Sequence, residues 1–173
     1  MKKVISLLIF IVAFSSCENK KVTVKKVEPV DEKEAINKVL DAWHKSAAEA
    51  NFETYFEAMT NKSVFIGTDA SENWKNTDFK KFSKPHFDKG KAWDFTPVKR
   101  TIYSYKDVEI AWFDELLDTW MGICRGSGVV IKSENNWKIE HYVLSLTIPN
   151  DNIDEVIKIN KEKDSLFLKK LKK

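Results

Sequence analysis

The chain is predicted to adopt an α+β fold on three observations. Apolar residues recur at helical spacing up to about residue 90. Four long strand-like runs follow from Trp93 onward, and Ser133-Glu134-Asn135-Asn136 marks a tight turn between the last two. Helices followed by an antiparallel meander segregate into two layers, which is the α+β arrangement. A hydrophobic fraction of 43%, with six Trp and eleven Phe among 173 residues, supplies the core of a single domain.

Residues 1–16 read as a secretory signal. Lys2 and Lys3 form a basic start, Val4 to Phe14 is an unbroken apolar run, and Ser15-Ser16 precede Cys17. The run is shorter than the roughly 20 residues a spanning helix needs. A cysteine directly after small residues resembles the lipobox of bacterial lipoproteins, with Phe14 and Ser16 standing where Leu and Gly or Ala are usual. That resemblance implies a lipid on Cys17 and an extracytoplasmic position in the bacterial cell envelope. Residues 17–30 follow as a tether of up to about 40 Å. An edge strand through Val22, Val24 and Val27 is the alternative.

The helical part starts at Asp31, where Glu34 three residues later suggests a capping box. Ile36, Val39, Leu40, Trp43, Ala47 and Ala50 then share one face, predicting a helix over 32–50. Asn51 caps a shorter helix carrying Phe52, Tyr55, Phe56 and Met59. Residues 63–67 (SVFIG) form a short strand. A third helix begins at Asn76 or Thr77, carries Phe79 and Phe82, and is interrupted at Pro85. The strands are expected over 93–105, 108–116, 120–132 and 137–148. The domain thus spans 31–150, and residues 151–173 form a Lys-rich helical tail.

Charge excludes one class of partner. Ala35 to Ile157 carries 15 basic and 19 acidic residues, a net of −4, whereas Lys158 to Lys173 holds seven Lys and two acids, a net of +5. A mildly acidic domain lacks the electrostatic footprint for phosphate backbones, so nucleic acid is not expected as a partner. Attraction of the tail to anionic lipid competes with a simple solvated helix end. Once Cys17 is lipidated only Cys124 remains, which leaves no pair for a disulfide. Cys124 reads as a small buried hydrophobe. Three His and one spare Cys show no metal-ligand spacing, and no Gly-rich phosphate loop or nucleophile elbow is present. Neither a metal nor a cofactor is expected.

Five segments in order resemble the SnoaL-like branch of the nuclear transport factor 2-like superfamily. They are Phe65 to Ala70 with Glu72 and Trp74, Ala111 to Leu116, Arg125 to Val129, Trp137 to Ile139, and Leu144 to Asn150. The resemblance implies a cone: a curled antiparallel sheet wrapped around the N-terminal helices, with a pocket at the wide end. Its members include polyketide cyclases, ketosteroid isomerases, dehydratases and non-catalytic binding modules, so fold does not set function. Relatives tend to carry Asn where this chain has Val143.

Acid–base chemistry in such a pocket needs a carboxylate or imidazole in a dry site. Asp114 and His141 are the candidate bases. Asp114 and Glu115 are adjacent on a strand and point to opposite faces. His141 is expected on the face of Trp137, Ile139 and Val143. Arg125 is placed for a cross-strand ion pair with a carboxylate, and at least Arg125 or His141 is expected to project inward. Asp69 and Trp74 are expected at the mouth, with Trp112 as a further aromatic of the pocket. For each of these residues a structural role competes.

Three functions follow, in order of support. The first is an envelope lipoprotein whose pocket binds a small, largely apolar molecule. The second is an isomerase, cyclase or dehydratase, and the third a protein-interaction module. Apolar residues on both faces of the late strands also predict a homodimer through the outer face of the sheet.

Overall fold

The computed structural model describes residues 31–105 and 109–172. The signal, Cys17 and the tether lie outside the described residues. Helix α1 (Glu32–Ala48) starts at Asp31, whose carboxylate accepts from Lys33 N at 3.0 Å. Glu34, expected to close a capping box, pairs with Lys38 one turn on. Helix α2 (Phe52–Glu57) is capped by Asn51, which accepts from Thr54 N at 3.2 Å. Strand β1 (Met59–Ile66), the short β2 (Asn73–Lys75) and α3 (Asn76–Asp88) complete the first half.

Helix α3 runs through Pro85 instead of stopping there. Proline removes one helical hydrogen bond, but only in the last turn, where Phe87 is anchored against Phe52 and Tyr55. Gly90, with φ of 75°, then provides the left-handed residue that ends the helix.

The second half is a meander of β3 (Thr96–Ser104), β4 (Ile110–Thr119), β5 (Gly122–Ser133) and β6 (Asn136–Leu146). Glu134 and Asn135 both take positive φ, as a two-residue hairpin turn requires. The six-stranded sheet has the order β2-β1-β6-β5-β4-β3. One neighbour departs from a pure meander: β1 pairs parallel with β6, through Val64 to Ile66 against His141 to Val143.

The inner face of the sheet carries Ala111, Phe113, Glu115 and Leu117 of β4, Cys124 and Val130 of β5, and Tyr142 and Leu144 of β6. Helix α1 lays Ile36, Leu40, Trp43, His44 and Ala47 against them. Rings fill the space between: Trp43 stacks on Tyr55 at 4.9 Å, and Phe65 stacks on Phe79 at 4.2 Å. Burial of each such Phe contributes about 1.5–3 kcal/mol.

A register shift between Val129 and Val130 opposes Val129 to His141 but Val130 to Ile139, leaving Glu140 as the extra residue of a bulge. The bulge turns His141 to the outer face with Val143, whereas Trp137 and Ile139 stay inside. Simple alternation therefore fails for His141 at this one step. Helix α4 (Ile153–Leu171) follows a short 3₁₀ turn (Asn150–Asn152) and buries none of its residues. No helix among the described residues is long and apolar enough to cross a membrane.

Candidate functional site

A carboxylate sits at the centre of the cone. Glu115 on β4 is fully buried and accepts three hydrogen bonds from three different elements. Its Oε1 accepts from His44 Nε2 of α1 at 2.8 Å and from the Tyr142 hydroxyl of β6 at 2.9 Å. Its Oε2 accepts from Arg100 Nε of β3 at 2.8 Å. Because an ionised carboxylate only accepts, the proton between His44 and Glu115 belongs to Nε2. Arg100 Nη1 reaches on to Asn37 Oδ1 at 3.1 Å and Asp41 Oδ1 at 2.7 Å on α1. Burial opposes ionisation of Glu115, but the His44 hydrogen bond and the Arg100 charge outweigh it and hold the carboxyl below its ordinary value. Burial, reinforced by the neighbouring Glu115, pushes the Tyr142 hydroxyl well above its ordinary value, so it remains a donor.

Gly126 makes this cluster possible. It lies on β5 between Glu115 and Leu144, and a side chain there would overlap the Tyr142 hydroxyl and crowd the Glu115 stem. The Tyr142 hydroxyl reaches across the backbone of β5 only because that position is bare. All three donors to Glu115 thus come from within the fold, while Arg100 Nη2 is buried without a partner.

One layer out, at the wide end of the cone, the molecule is open. A cleft of about 250 Å³ is bounded by Phe65 of β1, Phe79 and Phe82 of α3, Trp93 and Phe95 of the segment before β3, and Leu144 of β6. Trp120 and Met121, in the tight turn between β4 and β5, form its rim, and Trp120 is 81% exposed. Thr68, Glu72 and His86 supply the polar groups. The Glu72 carboxylate lies over Gly67 and accepts from Asp69 N at 3.2 Å. An apolar wall with a few convergent polar groups is the form of a small-molecule site. Among the described residues no cluster of three His, Cys, Asp or Glu could hold a metal ion.

The SnoaL-like domain family model matches residues 36–149, the whole span from α1 to the end of the sheet. The chain belongs to the SnoaL-like domain family. Solved structures share its fold at low identity. A nuclear transport factor 2-like protein of unknown function from Pseudomonas putida is 10% identical, with a TM-score of 0.58 over 70% of this chain and 90% of that one. A candidate dehydratase of the same superfamily from Streptomyces avermitilis is 9% identical, with a TM-score of 0.58 over 68% of this chain and 97% of that one. A candidate scytalone dehydratase from Novosphingobium aromaticivorans is 11% identical, with a TM-score of 0.57 over 68% and 85%. No functionally curated protein matches the chain. At these identities the likeness is one of fold.

This SnoaL-like domain distributes the sequence-derived candidates differently from expectation. Glu115 alone is inside. Asp114 is on the outer face, where it accepts from the Tyr103 hydroxyl at 2.9 Å and lies 3.6 Å from Arg125 Nη1. Arg125 is half-exposed on that face, and His141 lies there too, so neither projects into the cone. The inward arginine is Arg100, opposite Glu115 in the β3–β4 register. Trp112 stacks on Tyr103 at 5.8 Å on the outer face, 39% exposed.

Asp69 caps the β1–β2 turn, accepting from Ser71 N at 2.8 Å. Those Ser71 hydrogen bonds, with help from Lys163 of α4, hold its carboxyl below the ordinary value. Trp74 stacks on Phe82 at 4.9 Å, behind the cleft wall. Val143 faces outward, so the Asn-to-Val departure leaves the cleft unchanged.

Sequence reading passed over His44, Arg100 and Tyr142, and over the cleft residues Glu72 and His86 as ligand groups. A signal for His44 existed, since it falls four residues after Leu40 on the apolar stripe of α1. Arg100 had none, because β3 does not alternate and its register shifts between Pro97 and Lys99.

Proposed function

We propose that this SnoaL-like domain binds a small, largely apolar molecule in the cleft at the mouth of its cone, and that lipid on Cys17 holds it at the bacterial envelope. The observation that carries the reading is the contrast between the two layers. In the ionisable cluster below, the Glu115 carboxylate is held by three donors from within the fold, with Arg100 Nη2 left buried without a partner, which suits a structural role, whereas the open layer above it is aromatic. A volume of about 250 Å³ suits a ligand of one or two rings. Its apolar body would lie between Phe79, Trp93 and Leu144, and a single polar group would meet Thr68, Glu72 or His86.

Acid–base catalysis by Asp114 or His141 loses its geometric basis, since both lie on the far side of the sheet from the cleft. An enzyme reading passes to Glu72 and His86, the ionisable groups that line it.

Native mass spectrometry of the protein purified from its own host tests the binding reading. A bound mass is expected, and Ala92→Phe, which fills the cleft from its lining, should remove that mass while leaving the melting temperature within a few degrees. A wild-type protein that carries nothing and binds no member of a library of one- and two-ring aromatics would refute the reading. Turnover of a bound ligand that is abolished by His86→Gln would move it to an enzyme.

A further inference from the structure

Helix α4 has a use that the cleft does not explain. Its 19 residues are helical throughout, yet none is buried, and Ile157, Leu166, Leu168 and Leu171 are all at least half exposed. At 100° per residue, Ile153, Ile157, Leu168 and Leu171 fall on one side of the helix. Lys161 and Lys172 border that side on one edge, and Lys163 and Lys170 on the other. Long side chains in those positions can lay their stems along an apolar surface and raise their charges to its polar boundary.

Charge says what the surface is. From Ser165 to Lys173 the chain reads SLFLKKLKK: four apolar residues, four lysines and no acid. The domain from Ala35 to Ile157 carries a net of −4, so an anionic surface attracts the end of α4 and repels the rest. A second copy fits worse. Asn160 and Asp164 lie in the middle of the apolar side, so a paired helix would bury Asp164 in its seam and set lysines against lysines. Asp164 also limits the contact to the part of the helix beyond it.

We infer that α4 is a membrane-docking helix, which seats Leu168 and Leu171 at the interface of an anionic bilayer while its lysines meet the lipid headgroups. This inference rests neither on a ligand in the cleft nor on lipid at Cys17.

The test uses unlipidated protein from Glu18 to Lys173, which contains every core residue among the described residues. It is sedimented with vesicles of phosphatidylcholine alone or of phosphatidylcholine mixed with phosphatidylglycerol. Binding is expected only with phosphatidylglycerol, and it should fall as salt is raised. Lys169→Glu combined with Lys170→Glu should weaken it at least about tenfold, given that each lysine near such a surface contributes appreciably. Leu168→Ser combined with Leu171→Ser should weaken it as well. Both double variants should melt at the wild-type temperature, because nothing on α4 is buried. Three results would overturn the inference: no binding, equal binding to the two vesicle types, or full binding by either double variant. A wild-type dimer that both double variants dissolve, without vesicle binding, would assign α4 to a second copy instead.

Discussion

Arg100 and Glu115 face each other across β3 and β4, with Nε 2.8 Å from Oε2, and both side chains are withdrawn from water. A buried ion pair is costly to form and more costly to break, because removing one partner strands the other charge. Arg100→Met should therefore destabilise the domain by about 3–5 kcal/mol. Arg125→Ala should cost less than about 1 kcal/mol, since its pairing with Asp114 is long and half-exposed. Urea denaturation of the two variants measures the contrast. Equal losses would mean that the outer arginine carries weight the geometry does not give it.

The acid stability of the domain should depend on Glu115. Its folded-state carboxyl is held below the ordinary value, so its contribution is complete above the usual carboxylate range. That contribution disappears as pH falls through the lowered folded-state value. Glu115→Gln should lower stability at neutral pH and flatten the acid limb of the stability–pH curve. A variant that keeps the full wild-type slope below pH of about 4 would place the acid-sensitive group elsewhere.

Gly126→Ala should destabilise the domain through the Tyr142 hydroxyl that crosses it. Tyr142→Phe alone loses a hydrogen bond to a charged acceptor, at a cost of about 1.5–3 kcal/mol. Combined, the two changes should cost less than their sum, with a coupling of about 0.5–3 kcal/mol. Additive losses would show that the backbone of β5, not the hydroxyl, is what resists a side chain.

The outer face of the sheet is proposed to join two copies. Tyr103, Ile110, Trp112 and Ile123 expose apolar surface there, and Tyr103 and Trp112 form a stacked pair. Sedimentation of protein beginning after Cys17 should give about twice the monomer mass. Trp112→Glu should return it to the monomer without loss of stability. A wild-type monomer at high micromolar concentration would end the proposal.

Cys17→Ser should release the protein from membranes washed in high salt, since the lipid is lost and any hold by α4 needs its lysines, whose attraction salt screens. Cell fractionation with a salt wash measures this. A variant that stays uncleaved and resists the wash would rule out lipidation.

By itself the sequence determined the class of fold and most of the element order. Apolar spacing marked α1, turn residues marked the hairpin at Glu134 and Asn135, and five ordered segments carried the likeness to SnoaL-like domains. These signals are local, each contained within one helix, strand or turn. It also separated Asp114 from Glu115, because adjacent strand residues must point opposite ways.

Only the tertiary structure decided which of the two entered the cone, and with which partners. That choice depends on non-local facts: the register of β3 against β4, the bulge at Glu140 that reverses His141, and the parallel pairing of β1 with β6. A one-residue slip in any strand exchanges its faces, so no reading of a single strand could assign Arg100 inward and Arg125 outward. The cleft likewise brings together Phe65, His86, Trp93, Met121 and Leu144, residues from five separate segments. Their meeting is a property of the closed cone.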